Sequence, residues 1–105
     1  MNLFDLPQLV DGEENMAVLY ENVAVRIEKI VSKGFSSPKD FWYRQSENEW
    51  VFVLQGEGTI DFEDHGITLR AGDSVQILAG VKHRVAGTSV SPDCIWLCVF
   101  EKNCP

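Results

Sequence analysis

The sequence predicts an all-β domain, either a sandwich or a small barrel. Its 105 residues are enough for one domain, because single domains typically contain about 100–150 residues. From Val23 onward, apolar residues recur at every second position in several short segments, which is the period of a half-buried strand. Turn-forming Gly, Pro, Asn, Asp and Ser separate these segments. Many short strands with frequent turns and little helix are typical of such folds.

The first 22 residues form a predicted N-terminal arm, which is followed by a single barrel domain over residues 23–105. Within the arm, the segment Glu13–Glu21 mixes apolar residues with several acids. This is the only part of the chain with helical character. We therefore expect a short helix, or a single helical turn, in this segment.

The barrel domain is predicted to contain seven or more short strands. The clearest covers residues 50–54, five consecutive residues of high β-propensity that end before Gly56. Trp50 and Phe52 alternate there with Val51, so the aromatic side is expected to pack on another sheet or on a second subunit. The expected strands cover residues 23–31, 41–45, 50–54, 59–62, 67–69, 75–78, 82–85 and 94–101.

The charge balance makes several classes of partner improbable. Nine basic and sixteen acidic residues give a net charge of −7. An acidic surface repels nucleic-acid phosphates and anionic lipids. A membrane-spanning helix would need about 20 consecutive apolar residues, and the sequence contains no such run. We therefore expect no nucleic-acid partner and no membrane partner, and the N-terminus shows no pattern of a signal peptide.

The three cysteines, Cys94, Cys98 and Cys104, indicate free thiols and a cytoplasmic location. An odd number of cysteines without a secretion signal is typical of a reducing compartment. Cys94 and Cys98 are expected on one strand, about 13 Å apart at roughly 3.3 Å per residue. That separation is too long for a disulfide bond. We expect these thiols to act as small buried hydrophobic groups.

Two segments, covering residues 49–58 and 72–85, resemble the two sequence motifs of the cupin superfamily. In the first, Glu49 precedes Gly56 by seven residues, and in the second His83 follows Gly72 by eleven. The resemblance covers residues 23–100 and implies a double-stranded β-helix, which is a small jelly-roll barrel. Short single-domain bacterial cupins share further segments, which here are Ser37-Pro38, Phe41-Trp42-Tyr43, Gln45, Glu49-Trp50-Val51, His83-Arg84-Val85 and Trp96-Leu97.

The resemblance also implies a site inside the barrel, formed by Tyr43, Gln45, Glu49 and His83. Metal-binding cupins use two histidines and a glutamate from the first motif and a third histidine from the second. Here Tyr43 and Gln45 stand at the two first-motif histidine positions. Gln45, Glu49 and His83 are the predicted ligands of a divalent transition metal, and ligand type does not separate Zn, Fe, Ni and Mn.

A metal-free arrangement of the same four residues is an equally open alternative. Tyr43 ligates a metal well only as phenolate, which is costly because its ordinary pKa is about 10. Buried polar groups need hydrogen-bond partners, and these groups can satisfy one another. The expected bonds run from the Tyr43 hydroxyl and the Gln45 amide to Glu49, and from His83 to the Gln45 carbonyl.

Three functions follow from this site. The first is a protein that binds a small molecule in the barrel, with or without a weakly held divalent metal. The second is a metal-dependent oxygenase, isomerase or lyase acting on a small polar substrate, with Glu49 as ligand or general base and Tyr43 as proton donor. The third is a non-catalytic structural dimer. A homodimer is expected in each case.

Overall fold

The computed structural model describes residues 1–102 and contains eight strands in two sheets. The five-stranded sheet has the order β1-β2-β8-β3-β6, and the three-stranded sheet has the order β5-β4-β7. All strand pairs are antiparallel. The strands are β1 Glu13–Glu21, β2 Val25–Lys33, β3 Asn48–Gln55, β4 Glu57–Phe62, β5 Gly66–Arg70, β6 Ser74–Ile77, β7 His83–Thr88 and β8 Cys94–Glu101. The prediction of an all-β fold is confirmed.

The helix predicted for Glu13–Glu21 is wrong, because this segment forms strand β1 at the edge of the larger sheet. It pairs with β2 from Glu13 opposite Lys33 to Glu21 opposite Arg26, with one bulge. The ladder of backbone hydrogen bonds along β2 outweighs the local helical preference of the acidic residues. The predicted boundary after residue 22 falls in the turn between β1 and β2, so the predicted arm contributes a strand to the same sheet.

The strand predicted for residues 41–45 is also wrong. The segment makes only an isolated backbone bridge, between Tyr43 and His83. The residues before the segment contact the same strand, because the Ser37 N–H donates to the Val85 carbonyl at 2.8 Å. Between these two contacts, Pro38 has no N–H for a ladder, and Asp40 has a φ of 66°, outside the strand region. Pro38 and Asp40 therefore interrupt regular pairing with β7 between Ser37 and Tyr43.

The core lies between the inner faces of the two sheets. Strand β8 runs through the middle of the larger sheet and contributes the largest buried side chain, Trp96, which is 4% exposed. Cross-strand neighbours share a face, so the inner face continues onto β2 and β3. The buried core residues are Val51, Val53, Ile60, Leu69, Ile77, Cys94, Trp96, Cys98 and Phe100.

The outer face of β3 is aromatic and partly open. Trp50 is 41% exposed, whereas Val51 is 2% exposed, which confirms the predicted alternation along this strand. The rings of Trp50 and Phe52 stack with their centroids 6.1 Å apart. Contact of this face with a second subunit stays a prediction.

The tight turn between β3 and β4 depends on Gly56. Its φ is 76°, which side chains rarely tolerate, and a Cβ atom there would lie 2.5 Å from Ser89 Oγ and 2.8 Å from the Asp93 carbonyl oxygen. The turn therefore cannot accept a larger residue without moving the 89–93 segment, and this fixes where β3 ends relative to the barrel.

Cys94 and Cys98 are both free and buried on β8, as predicted. Cys104 lies outside the described residues. Within residues 1–102, no helix has the length and the apolar character that crossing a bilayer would require.

Candidate functional site

A cavity of about 310 Å³ lies between the two sheets and is lined by both apolar and ionisable side chains. All four sequence-predicted site residues line it. The polar members of the lining are Glu14, Arg26, Glu28, Tyr43, Gln45, Glu49 and His83, and the larger apolar members include Ile30, Val51, Ile60, Ile77, Val85, Trp96 and Phe100. Polar groups that converge in an apolar cavity are typical of a ligand site.

Backbone pairing brings the four predicted residues together. Glu49 lies on β3 between Ile77 of β6 and Phe100 of β8, so its carboxylate emerges from the inner face of the larger sheet. His83 begins β7 in the other sheet. Tyr43 is fixed opposite His83 by two backbone hydrogen bonds of 2.7 and 3.1 Å. The Gly80 amide donates to the Gln45 carbonyl at 2.8 Å and so holds Gln45 beside Tyr43 and His83.

The centre of the site is the Glu49 carboxylate, which is 7% exposed. Gln45 Nε2 donates to Glu49 Oε1 at 2.7 Å, as predicted. His83 Nε2 lies 3.6 Å from the same oxygen, an ion-pair distance rather than a direct hydrogen bond. His83 Nδ1 donates to the Val81 carbonyl at 3.1 Å, and not to Gln45. The Tyr43 ring stacks on the His83 ring, with centroids 5.5 Å apart.

The environment of His83 favours its protonated form. Burial acts to lower the pKa of His83, but the Glu49 carboxylate and the Val81 carbonyl outweigh it and raise the pKa. The geometry gives the reason. Because Nδ1 carries the proton that Val81 accepts, a neutral ring would turn a lone pair at Nε2 toward the negative charge of Glu49.

Burial raises the pKa of the Tyr43 phenol, and the charges of Glu14 and Glu49 raise it further. The phenol therefore stays protonated at neutral pH and offers an O–H group, not a phenolate, to the cavity. A protonated phenol is a poor metal ligand. The sequence gives the same expectation, because deprotonating a tyrosine with an ordinary pKa of about 10 is costly.

The four residues of the site supply few of the ligand atoms that a transition metal requires. Gln45 turns its amide nitrogen toward Glu49, because a carboxylate only accepts hydrogen bonds, and an amide nitrogen is not a metal ligand. His83 and Glu49 then remain as the two strong donors. Across residues 1–102, no group of three or more His, Cys, Asp and Glu side chains is arranged to hold a metal ion. As arranged, these residues fit a hydrogen-bonded cluster better than a metal centre, and metal binding by Gln45, Glu49 and His83 stays a prediction.

Sequence reasoning missed a second polar cluster in the cavity, centred on Arg26. Arg26 Nε donates to Glu28 Oε2 at 2.7 Å, and its two terminal nitrogens donate to the two oxygens of Glu47 at 2.9 Å. The guanidinium also lies over the Phe100 ring, 4.3 Å from its centroid. Along β2, Arg26 and Glu28 alternate with Val25 and Ile27. Such alternation predicts that the charged side chains face solvent. No sequence signal indicates that it faces the cavity instead.

Two further residues that the sequence left unassigned have defined positions. Trp96 lines the cavity, and its indole N–H donates to Ser32 Oγ at 3.1 Å. Trp42 lines a second, shallower depression together with Arg84. Arg84 forms an ion pair with Asp61, at 3.6 Å.

The raised pKa of His83 predicts a pH-dependent contribution to stability. Because the folded pKa lies above the ordinary value of about 6.5, the contribution is complete below that value and is lost as the pH rises through the folded pKa. The stability difference between the wild type and His83→Gln, measured by urea unfolding, should therefore be larger at about pH 6 than at about pH 9. A difference that grows with pH would contradict the assignment.

Residues 28–100 match the cupin domain family. No curated protein matches the sequence. A solved structure from Ralstonia eutropha JMP134, named only provisionally as a mannose-6-phosphate isomerase, is 33% identical and has a TM-score of 0.90. The match covers 98% of this chain and 97% of the other.

More distant structures share the fold. A cupin superfamily protein from Desulfitobacterium hafniense DCB-2 is 20% identical with a TM-score of 0.77, covering 92% of this chain and 84% of that one. The DMSP lyase DddQ from Ruegeria pomeroyi DSS-3 is 18% identical with a TM-score of 0.73, covering 86% of this chain and 47% of the other. With the family match over most of the barrel and the similar R. eutropha structure, this chain belongs to the cupin superfamily.

Proposed function

We propose that this protein binds a small organic molecule in the cavity between its two sheets. The observation that carries the proposal is the cavity itself, about 310 Å³ in volume, with a buried hydrogen-bonding cluster on one side and apolar side chains on the other. Such a site orients a ligand through a few polar contacts and gains affinity from apolar contact. Tyr43, Gln45, Glu49 and His83 are the residues that we expect to contact the ligand.

Contacts within the fold already hold the side chains of the cluster, which supports binding by preorganisation. Gln45 and His83 are each held by a backbone contact and by Glu49. Tyr43 is held by the backbone bridge and by its ring contact. A ligand that enters this cavity does not have to order these side chains, and their ordering would otherwise weaken binding by about 0.5–1.5 kcal/mol per side chain.

A metal-dependent enzyme is the alternative, and the names of two structural relatives favour it. One relative is named provisionally as an isomerase and another as a lyase. In this alternative Glu49 would act as ligand or general base and the protonated Tyr43 as proton donor. The donor set described above argues for binding first, because it supplies only two strong metal ligands.

The test is a screen of small polar compounds by ligand-observed NMR, followed by mapping of backbone amide shifts on the full chain. Hits should shift the amides of Glu49, His83 and Trp96, and Glu49→Ala should weaken their binding at least about tenfold. Glu63→Ala, an exposed carboxylate outside the cavity, is the matched control and should have no effect. The proposal fails if no compound shifts cavity amides, or if Glu49→Ala binds the hits as well as the wild type does.

Metal content is measured on the same preparations. A stoichiometric transition metal that is lost in the Glu49→Ala, His83→Ala double variant would favour the enzyme. Hits that bind equally well after chelator treatment would favour a metal-free binding protein.

A further inference from the structure

The charges that line the cavity are predominantly negative. Three carboxylates line it, those of Glu14, Glu28 and Glu49, against the two basic groups of Arg26 and His83. Glu28 and Glu49 are 9% and 7% exposed, so solvent screens their charges only weakly. The cavity therefore has a negative electrostatic potential, which acts on any ligand inside it.

Both basic groups already have carboxylate partners. Every nitrogen of the Arg26 guanidinium donates to a carboxylate, through Nε to Glu28 and through both terminal nitrogens to Glu47. One face of the same guanidinium lies against the Phe100 ring. His83 directs Nδ1 to a backbone carbonyl and Nε2 toward Glu49. An incoming phosphate or carboxylate would therefore meet cations whose charge neighbouring carboxylates already compensate.

The remaining polar groups stay neutral and do not offset the field. The Tyr43 phenol is protonated, as described above. Burial raises the pKa of the Cys98 thiol well above its ordinary value, and the charges of Glu49 and Glu28 add to that effect.

The rest of the lining is apolar or aromatic. The hydrogen bond from the Trp96 indole to Ser32 holds the indole in place. Ile60 and Val85 line the cavity from the opposite sheet. Aromatic faces attract cations, most strongly those that shed water easily, such as alkylated ammonium groups. Phe100 already shows this contact with the guanidinium of Arg26.

From these charges and contacts we propose that the ligand of the cavity is a small organic cation, such as an alkylated ammonium compound. This inference rests on the proposed binding function and specifies its ligand class. Carboxylates would compensate the positive charge, while the aromatic and aliphatic walls would contact the alkyl groups. Phosphorylated sugars are disfavoured, because their dianion would enter a cavity whose cations are already paired.

The test compares probes that differ in charge but not in shape. Choline and its neutral carbon analogue 3,3-dimethylbutan-1-ol are titrated into the chelator-treated full chain at about pH 8 and followed by amide shifts, with tetramethylammonium as a second cation. Inorganic phosphate and a hexose 6-phosphate serve as anions. We expect the cations to shift cavity amides and choline to bind at least about tenfold more tightly than its neutral analogue.

Variants identify the carboxylates responsible. Glu28→Gln and Glu49→Gln should each weaken choline binding several-fold while leaving the neutral analogue unaffected. Glu14→Gln, at the exposed edge strand β1, is the third variant, and it is the one of the three that we expect to leave packing intact. Glu63→Gln is the matched control and should bind choline like the wild type.

Each outcome separates the two proposals. If the neutral analogue or an anion binds as tightly as choline, or if only neutral compounds from the screen bind, the cation inference is overturned and the binding function stands. If no probe and no screened compound shifts a cavity amide, the binding function itself is overturned. Tighter binding of choline that persists unchanged in all three glutamine variants would also overturn the inference.

Discussion

Replacing Trp96 by alanine should lower the free energy of unfolding by about 3–5 kcal/mol, the usual range for a buried Trp or Phe truncated to alanine. Trp96 is 4% exposed and belongs to the main core cluster. Its ring packs against Gly58, where a Cβ atom would lie 2.3 Å from it. The substitution also removes the N–H donor to the buried Ser32 hydroxyl. Equilibrium unfolding in guanidinium chloride would measure the loss, which is a large part of a typical domain stability of about 5–15 kcal/mol.

Two variants divide this effect into its parts. Trp96→Phe keeps most of the ring and removes the hydrogen bond, so it should cost much less than the alanine variant. Trp50→Ala removes the same side chain from the open outer face and should have the smallest effect, because that ring is 41% exposed. Equal losses for Trp96→Ala and Trp50→Ala would contradict the assignment of the two faces of the larger sheet.

Replacing Arg26 by methionine should destabilise the fold by about 2–3 kcal/mol. The change leaves the carboxylates of Glu28 and Glu47 without their shared cation, and breaking a fully buried ion pair costs about 3–5 kcal/mol. The expected loss is smaller here because the Arg26 side chain is 21% exposed. Urea unfolding would measure it.

Arg70→Met is the matched control for that experiment. Arg70 pairs with Glu57 at 3.2 Å, but the two side chains are 69% and 49% exposed. Exposed ion pairs contribute little to stability, so this variant should unfold almost like the wild type. If both variants lost equal stability, the Arg26 cluster would have no special structural role.

The strands from β3 onward could be predicted because local sequence and tertiary structure agree there. Residues 50–54 have high β-propensity, alternate in polarity, and end at a glycine that the turn requires. Strand β1 could not be predicted in the same way. Its acidic residues remain exposed at the sheet edge, so burial leaves no clear period in the sequence, and only pairing with β2 decides its conformation.

The site could be predicted only through the family motifs. Those motifs pointed to Tyr43, Gln45, Glu49 and His83, and the structure places all four on the cavity wall. Composition and periodicity could not reveal Arg26, because β2 carries side chains of mixed polarity toward the interior. A charged residue on a strand normally indicates the side that faces solvent. Arg26 can instead face the cavity because its charge is compensated by Glu28 and Glu47.

The position of β8 has a consequence for synthesis on the ribosome. This strand is the last of the eight, yet it lies between β2 and β3, whose hydrogen-bonding edges both depend on it. Until residues 94–101 leave the exit tunnel, β2 and β3 each lack the partner strand on one edge, and the barrel cannot close. During translation the larger sheet therefore stays divided until β8 has emerged, and protection by a chaperone would matter most at that stage.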